Sequence, residues 1–259
     1  MLKTLLYRLY ARRLLAEVRT RPLPHHIGLV QDGHRRYARE AGLPDQRDGY
    51  RHGAARTEEV LTWCAELGIP VVTLWWLSTE NFAREPLEVA AVLAVIEERM
   101  AQWAREGGLA ERLGIRVRPI GKLERLPASA LDALRLAEAA TRHRATMLLN
   151  VAVGYGGRQE IIDGVQRYLQ DGFERADPPE EILRHLTADA LAKYLYTHDC
   201  PDPDLIIRTS GEVRLSGFML WQSAYSEFYF CDAYWPAFRK IDFLRAIRSY
   251  QQRERRYGR

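Results

Sequence analysis

The chain has 259 residues, 47% of them hydrophobic and 28% charged, with a formal net charge of +4. That balance excludes a mostly disordered chain, and no apolar run approaches the ~18 residues that cross a bilayer. The three cysteines, Cys64, Cys200 and Cys231, are far apart and make neither a disulfide framework nor a paired metal-binding motif, so a reducing, cytoplasmic setting is expected.

Residues 1–21 read as a basic amphipathic helix. Leu2, Leu5, Leu6, Leu9, Leu14 and Leu15 are expected on one side, and Arg8, Arg12, Arg13, Arg19 and Arg21 over much of the rest. The segment lacks the continuous apolar core of a signal peptide. It suits peripheral contact with an anionic membrane, and equally well packing on its own domain. Pro22 and Pro24 end it. Beyond it, apolar runs at 26–30, 71–77, 115–120, 147–153, 205–207 and 227–230 read as strands. Helical patterns occupy 57–67, 86–105, 127–142, 158–169 and the stretch from 243 onward. Continuous Val/Ile/Leu runs separated by helices predict an α/β fold, a parallel sheet covered on both faces. The polar stretch 171–181 reads as a surface connection, so residues 1–24 form a leading helix and 25–259 a single domain.

In such sheets ligands lie beyond the carboxyl ends of the strands. The first strand runs into Gln31-Asp32-Gly33-His34-Arg35-Arg36. A glycine at a strand-to-helix turn admits an anion to the backbone, and two arginines add charge-assisted donors for phosphate oxygens. A carboxylate in that company fits a divalent cation bridging it to phosphates, as with Mg²⁺; an N-cap Asp beside solvated arginines fits as well. After the second strand, Ser78 or Thr79 suits the capping of the next helix, whereas Asn81 and Arg84 have no evident capping job. After the fifth, Arg208, Arg214 and Ser216 flank a glycine turn and make a second polyanion cradle; an apolar stretch then leads to Glu227. Basic residues in short bursts behind apolar strands suit two small phosphorylated substrates and no nucleic acid, which would need a basic face.

The segments HIGLVQDGHRRYA (26–38), LSTENFAREP (77–86), LNVAVGYGGRQEI (149–161) and DLIIRTSGEVRLSGFMLWQSAYSEFYF (204–230) resemble the cis-prenyltransferases, the undecaprenyl diphosphate synthase superfamily. Overall length, the leading helix and the Arg-Tyr-Gly-Arg ending look most like bacterial short-chain Z-isoprenyl, or (2Z,6E)-farnesyl, diphosphate synthases. The resemblance implies a homodimer, a central six-stranded, mostly parallel sheet and a hydrophobic tunnel for the prenyl chain. It makes Asp32 the Mg²⁺-binding catalytic residue, and Gly33, His34, Arg35 and Arg36 the loop that holds the allylic diphosphate. Asn81 matches a residue implicated in deprotonation, and Arg84 one that binds diphosphate. Arg208, Arg214 and Ser216 match the isopentenyl diphosphate site, Glu227 a carboxylate near the metal, and Arg256 and Gly258 a terminal element that reaches the partner subunit's active site.

The chain also departs from the pattern. His34 stands where Asn is usual, Gln31 where an apolar residue is common, and Tyr50 where His is frequent. Imidazole can still donate to phosphate, and its charge would make binding pH-sensitive. Trp76 occupies a position that is small, often Ala, in members with long products. Pointing into the tunnel, it would stop growth after one or two additions, at roughly ten to fifteen carbons; packed in the sheet core, it would have no such effect. The activity implied is condensation of geranyl or dimethylallyl diphosphate with isopentenyl diphosphate. Irregular head-to-middle coupling of allylic diphosphates and a non-catalytic partner subunit are the alternatives. The presence of Asp32 and Arg256-Tyr257-Gly258 argues against the last.

Overall fold

The computed structural model describes residues 2–45 and 47–253, with side chains from residue 5 onward. Six strands, β1 (His26–Val30), β2 (Val71–Ser78), β3 (Ile115–Ile120), β4 (Met147–Tyr155), β5 (Leu205–Arg208) and β6 (Glu227–Phe230), form one sheet in the order β3-β4-β2-β1-β5-β6. Every pairing is parallel. The helices are α1 (Leu2–Val18), α2 (His34–Glu40), α3 (Asp48–Glu66), α4 (Pro86–Ala104), α5 (Leu109–Leu113), α6 (Ala128–Thr141), α7 (Gly157–Glu174), α8 (Pro179–Arg184), α9 (Ala188–Ala192) and α10 (Lys240–Gln252). Ile27, Leu29, Val72, Leu74, Val117, Leu149, Val151 and Ile207 are fully buried, as strands covered on both faces require. Among the described residues no helix is long and apolar enough to cross a membrane.

The predicted strands form, each within a residue or two of its expected ends. The helices α2, α5, α8 and α9 have no counterpart in the sequence reading because segments of five to seven residues are too short to show a helical period. The connection expected over 171–181 shrinks, since α7 runs on to Glu174 and α8 begins at Pro179. Helix α3 begins well before the expected residue 57. Its first turns hold Gly49 and Gly53, poor helix formers that weaken the pattern. Their value is closeness: a Cβ would lie 2.3 Å from the carbonyl oxygen of His34 at Gly49 and 2.2 Å from its Nε2 at Gly53. The two glycines let α2 sit directly on α3, which fixes the loop in front of it.

The leading helix corrects the expectation of a single apolar side. Leu14 and Val18 are buried in the same core as Phe243 and Ile247 of α10, and Leu15 packs against that core. Leu5, Leu6 and Leu9 are 55%, 56% and 54% exposed. At roughly 100° per residue, Leu9 and Val18 are half a turn apart, so one helix carries two apolar faces.

A buried polar row crosses the sheet. The amide Nδ2 of Asn150 donates to Thr73 Oγ1 at 2.9 Å, and Arg118 Nε donates to Asn150 Oδ1 at 2.8 Å. His26 Nε2 is 2.8 Å from Thr73 Oγ1, and its Nδ1 is 2.7 Å from the carbonyl oxygen of Pro201. A neutral ring satisfies both contacts, with Nδ1–H donating and Nε2 accepting. Burial lowers the imidazole pKa to about 4, although the Pro201 carbonyl and Asp204 oppose the shift. The unfolded chain therefore takes up this proton first as pH falls through ~6.5, and stability is lost from there down to about 4. The contribution between pH 7 and 4.5 is about 2–3 kcal/mol. Urea unfolding at the two pH values should show a loss smaller by that amount in His26→Asn than in the wild type; equal losses would contradict it.

Candidate active site

Because β1 lies between β2 and β5, the carboxyl ends of these three strands open side by side into one cavity of about 420 Å³. Its walls include Asp32, Gly33, His34, Arg35 and Arg36 from the first loop, Asn81 and Arg84 from the second, and Arg208, Arg214 and Ser216 from the third. Three loops distant in sequence thus converge on one cavity.

Asp32 stands at the junction. Its main chain is clamped by Thr209, whose Oγ1 accepts from the Asp32 N–H at 3.0 Å, and by the Trp235 N–H, which donates to the Asp32 carbonyl at 2.9 Å. Gly33 follows at φ 97°, a left-handed conformation, and a Cβ there would meet the Tyr234 ring at 2.6 Å. Only glycine satisfies both demands. The Asp32 carboxylate accepts the Gly33 N–H at 2.7 Å and Arg208 Nη2 at 3.1 Å, with Arg36 Nη2 at 3.7 Å. Burial by itself would raise its pKa, but the Arg208 hydrogen bond, the Gly33 N–H and the charges of Arg208 and Arg36 prevail and hold it below the ordinary carboxylate value.

Arg208 is the buried cation of the site, its side chain 5% exposed. Its Nη1 donates to the Arg214 carbonyl at 2.5 Å and to Ser216 Oγ at 2.7 Å. Its Nε is buried with no partner among the described residues, a donor that the chain leaves unspent. The loop it supports is sharply kinked, with Ser210, Gly211, Ser216, Gly217 and Met219 all at positive φ. Arg36 donates to Ser210 Oγ at 2.8 Å, lies 3.4 Å from Glu212 and sits over the Tyr234 ring. Arg214 is largely exposed and pairs with Glu212 at 2.7 Å.

The second loop corrects one reading. Asn81 has a capping job: its N–H donates to Ser78 Oγ at 3.3 Å while its Oδ1 accepts the Ser78 N–H at 3.2 Å, a reciprocal cap on the 3₁₀ turn Thr79–Ala83. This leaves its Nδ2 without a partner among the described residues, on the cavity wall. Arg84 donates to Glu88 at 2.8 Å; Glu88 also accepts from Tyr50 Oη at 2.8 Å and from Arg35 at 3.2 Å. The sequence reading missed Glu88. Its signal was the spacing of four residues after Arg84, across the first turn of α4.

The departures at positions 34 and 50 meet in space. The rings of His34 and Tyr50 stack at 5.2 Å and 29°. His34 is laid onto α3 at Gly53, and burial lowers its pKa to about 4, with Asp32 opposing the shift and Arg84 reinforcing it. The ring is therefore neutral near pH 7, and any pH-sensitivity that its charge confers lies toward pH 4.

Ala54, Trp75, Trp76, Val92 and Ile96 give the cavity an apolar wall, beside Gln31, Tyr50 and Ser78. The two tryptophans keep the strand's alternation, Trp75 packing with Phe218 on one face of the sheet and Trp76 with the main core on the other, and both border the cavity. Trp76 packs on Trp103 at 5.4 Å, and Trp103 is anchored by its Nε1–H to Glu58 at 2.9 Å.

Glu227 is not brought to the site. It opens β6 in register with Leu205, at the amino end of the sheet, whereas Asp32 lies beyond the carboxyl end of β1, past the level of Arg208. Its carboxylate pairs with Arg253 at 2.5 Å. Within one chain Glu227 and Asp32 therefore cannot share a metal, and the described residues contain no cluster of three metal-ligating side chains. Arg256 and Gly258 lie outside the described residues.

A family model for undecaprenyl diphosphate synthases matches residues 30–258. An isoprenyl transferase of Thermus thermophilus is 50% identical over 254 residues, covering 98% of this chain and 96% of its own. The (2Z,6E)-farnesyl diphosphate synthase of Thermobifida fusca is 50% identical over 258 residues, covering 100% and 99%. The crystal structure of lavandulyl diphosphate synthase from Lavandula x intermedia, in complex with dimethylallyl diphosphate, is similar with a TM-score of 0.85 at 31% identity, over 94% of this chain and 100% of that one.

The Asp32 geometry makes its own prediction. Arg208→Met should return the Asp32 carboxyl toward or above the ordinary carboxylate pKa, while Arg36→Met, which removes a longer contact, should move it less. Carboxyl-carbon NMR titration reads both, and an Asp32 pKa unchanged in Arg208→Met would contradict the assignment.

Proposed function

Because the chain belongs to the undecaprenyl diphosphate synthase family of prenyltransferases, we propose that it condenses geranyl or dimethylallyl diphosphate with isopentenyl diphosphate, giving a short Z-configured prenyl diphosphate and free diphosphate. The observation that carries this reading is the sharing of Asp32 by two cationic cradles, Arg36 on one side and Arg208 on the other, at the mouth of an apolar cavity.

In this reading Gly33, Arg35 and Arg36 hold the allylic diphosphate, with Arg84 beside them. Arg208, Arg214 and Ser216 hold isopentenyl diphosphate, and the unpartnered Arg208 Nε fits an anion there. Asp32, ionised and one-third exposed, is the residue that would hold Mg²⁺ together with phosphate oxygens. Bound there, Mg²⁺ supplies positive charge to the leaving oxygens. The arginines stabilise the same developing charge as the allylic C–O bond breaks and its electron pair departs with diphosphate. The isopentenyl double bond then attacks the allylic carbon, forming the new C–C bond, and a proton is lost from isopentenyl C2. Asn81, through its free Nδ2, is placed to orient the diphosphate near that proton. Fixing both substrates in register contributes roughly 7–11 kcal/mol to lowering the barrier. Trp75, Trp76, Val92 and Ile96 keep water from the cation. Trp76, backed by Trp103, sets the length at which growth stops. The working unit is a homodimer.

A second reading keeps both cradles but joins two allylic diphosphates irregularly. The likeness to lavandulyl diphosphate synthase and the His34–Tyr50 stack favour it.

Incubation with Mg²⁺, isopentenyl diphosphate and either allylic primer, followed by product mass and double-bond geometry, separates the two. A Z-configured chain extended by one or two units is expected. A branched product would establish the second reading, and no turnover would overturn both. Asp32→Ala should lower turnover at least roughly a hundredfold with fold and oligomeric state unchanged. Chelation of Mg²⁺ should abolish turnover. Trp76→Ala should lengthen the product, and an unchanged product distribution would remove Trp76 from its role.

A further inference from the structure

The function proposed above makes no use of the outward face of α1. Leu14 and Val18 face the core, while Leu5, Leu6 and Leu9, more than half exposed, form a second apolar stripe on the opposite side. At roughly 100° per residue, Arg8 and Arg12 border this stripe on one flank and Arg13 continues it toward the carboxyl end of the helix. All three are exposed, and none has an ion-pair partner among the described residues. From Leu2 to Ala16 the helix contains no acidic residue. The first one, Glu17, lies toward α10, where it is 3.8 Å from Arg248. The face therefore combines exposed leucines with uncompensated positive charge, while Leu14 and Val18 anchor the helix to the body of the protein.

We infer that this outer face of α1 docks the protein on an anionic lipid bilayer, with Leu5, Leu6 and Leu9 entering the headgroup–acyl boundary and Arg8, Arg12 and Arg13 meeting lipid phosphates. Charge decides between this occupant and a second copy of the chain. Two copies of the face brought together would set Arg8, Arg12 and Arg13 against their own counterparts with no carboxylate between them, whereas an anionic surface neutralises them as the leucines leave water. Helix burial on one side only is the geometry of a peripheral helix lying in the membrane plane. The inference is independent of what the cavity catalyses.

The test is co-sedimentation of the full-length protein with vesicles of equimolar phosphatidylglycerol and phosphatidylcholine, against vesicles of phosphatidylcholine alone. Binding to the anionic vesicles at least about tenfold stronger than to the neutral ones is expected. Leu5→Ser/Leu6→Ser/Leu9→Ser should lower it at least about tenfold with unchanged circular dichroism and melting temperature, because these side chains leave the core untouched. Arg8→Glu/Arg12→Glu should abolish the preference for anionic lipid. Failure of the wild type to bind anionic vesicles would overturn the inference, as would undiminished binding by the leucine variant. A change in solution mass on replacing the leucines, without lipid binding by the wild type, would make the face a protein contact instead.

Discussion

A carboxylate caught between two guanidinium groups organises this molecule. Asp32 follows β1, Arg36 lies one helical turn later and Arg208 ends β5, so the contact ties together strands nearly 180 residues apart in sequence. The arginines keep Asp32 ionised despite partial burial, and Asp32 in turn joins two cations that Ser216 and Ser210 hold from their other sides. Neither side satisfies the other fully: Arg208 retains an unpartnered Nε and Arg36 stays one-third exposed. The result is a site balanced internally but still able to accept anions, as a diphosphate-binding enzyme of this family requires.

Sheet order extends that contact into a cavity. The charged loops come from β1 and β5, while the neighbouring β2 supplies Trp75 and Trp76, so charged and aromatic walls share one cavity. Glu88 completes the arrangement by collecting Tyr50, Arg84 and Arg35 from three elements. The Arg35 bond is exposed and of modest worth in itself, whereas the Tyr50 and Arg84 bonds are part-buried, so Arg84 is held more firmly than Arg35.

Much of this was legible from the residues. The strands were readable because apolar runs buried on both faces leave no other explanation, and Asp32, Arg36 and Arg208 because a parallel sheet sends its strand ends to one side. What escaped depended on three-dimensional partners. Asn81 reads as a free polar residue until the turn closes and Ser78 reciprocates its hydrogen bond. Gly49 and Gly53 look like helix breakers until His34 is laid on them. The leucines of α1 form two stripes, since the nine residues from Leu5 to Leu14 turn the helix by half a circle, and packing on α10 decides which stripe is buried. Glu227 was placed near the metal by family likeness alone, and strand direction puts it at the far end of the sheet.

We propose that two diphosphates lie on either side of Asp32 with their hydrocarbon directed at Trp76. The most direct test is a crystal structure of the protein with Mg²⁺, isopentenyl diphosphate and an unreactive thio-analogue of geranyl diphosphate. The account predicts one diphosphate on Gly33 and Arg36, the other on Arg208 and Ser216, metal on Asp32, and the geranyl tail against Trp76. Diphosphates bound away from Asp32, or a tail leaving the cavity toward solvent, would contradict it.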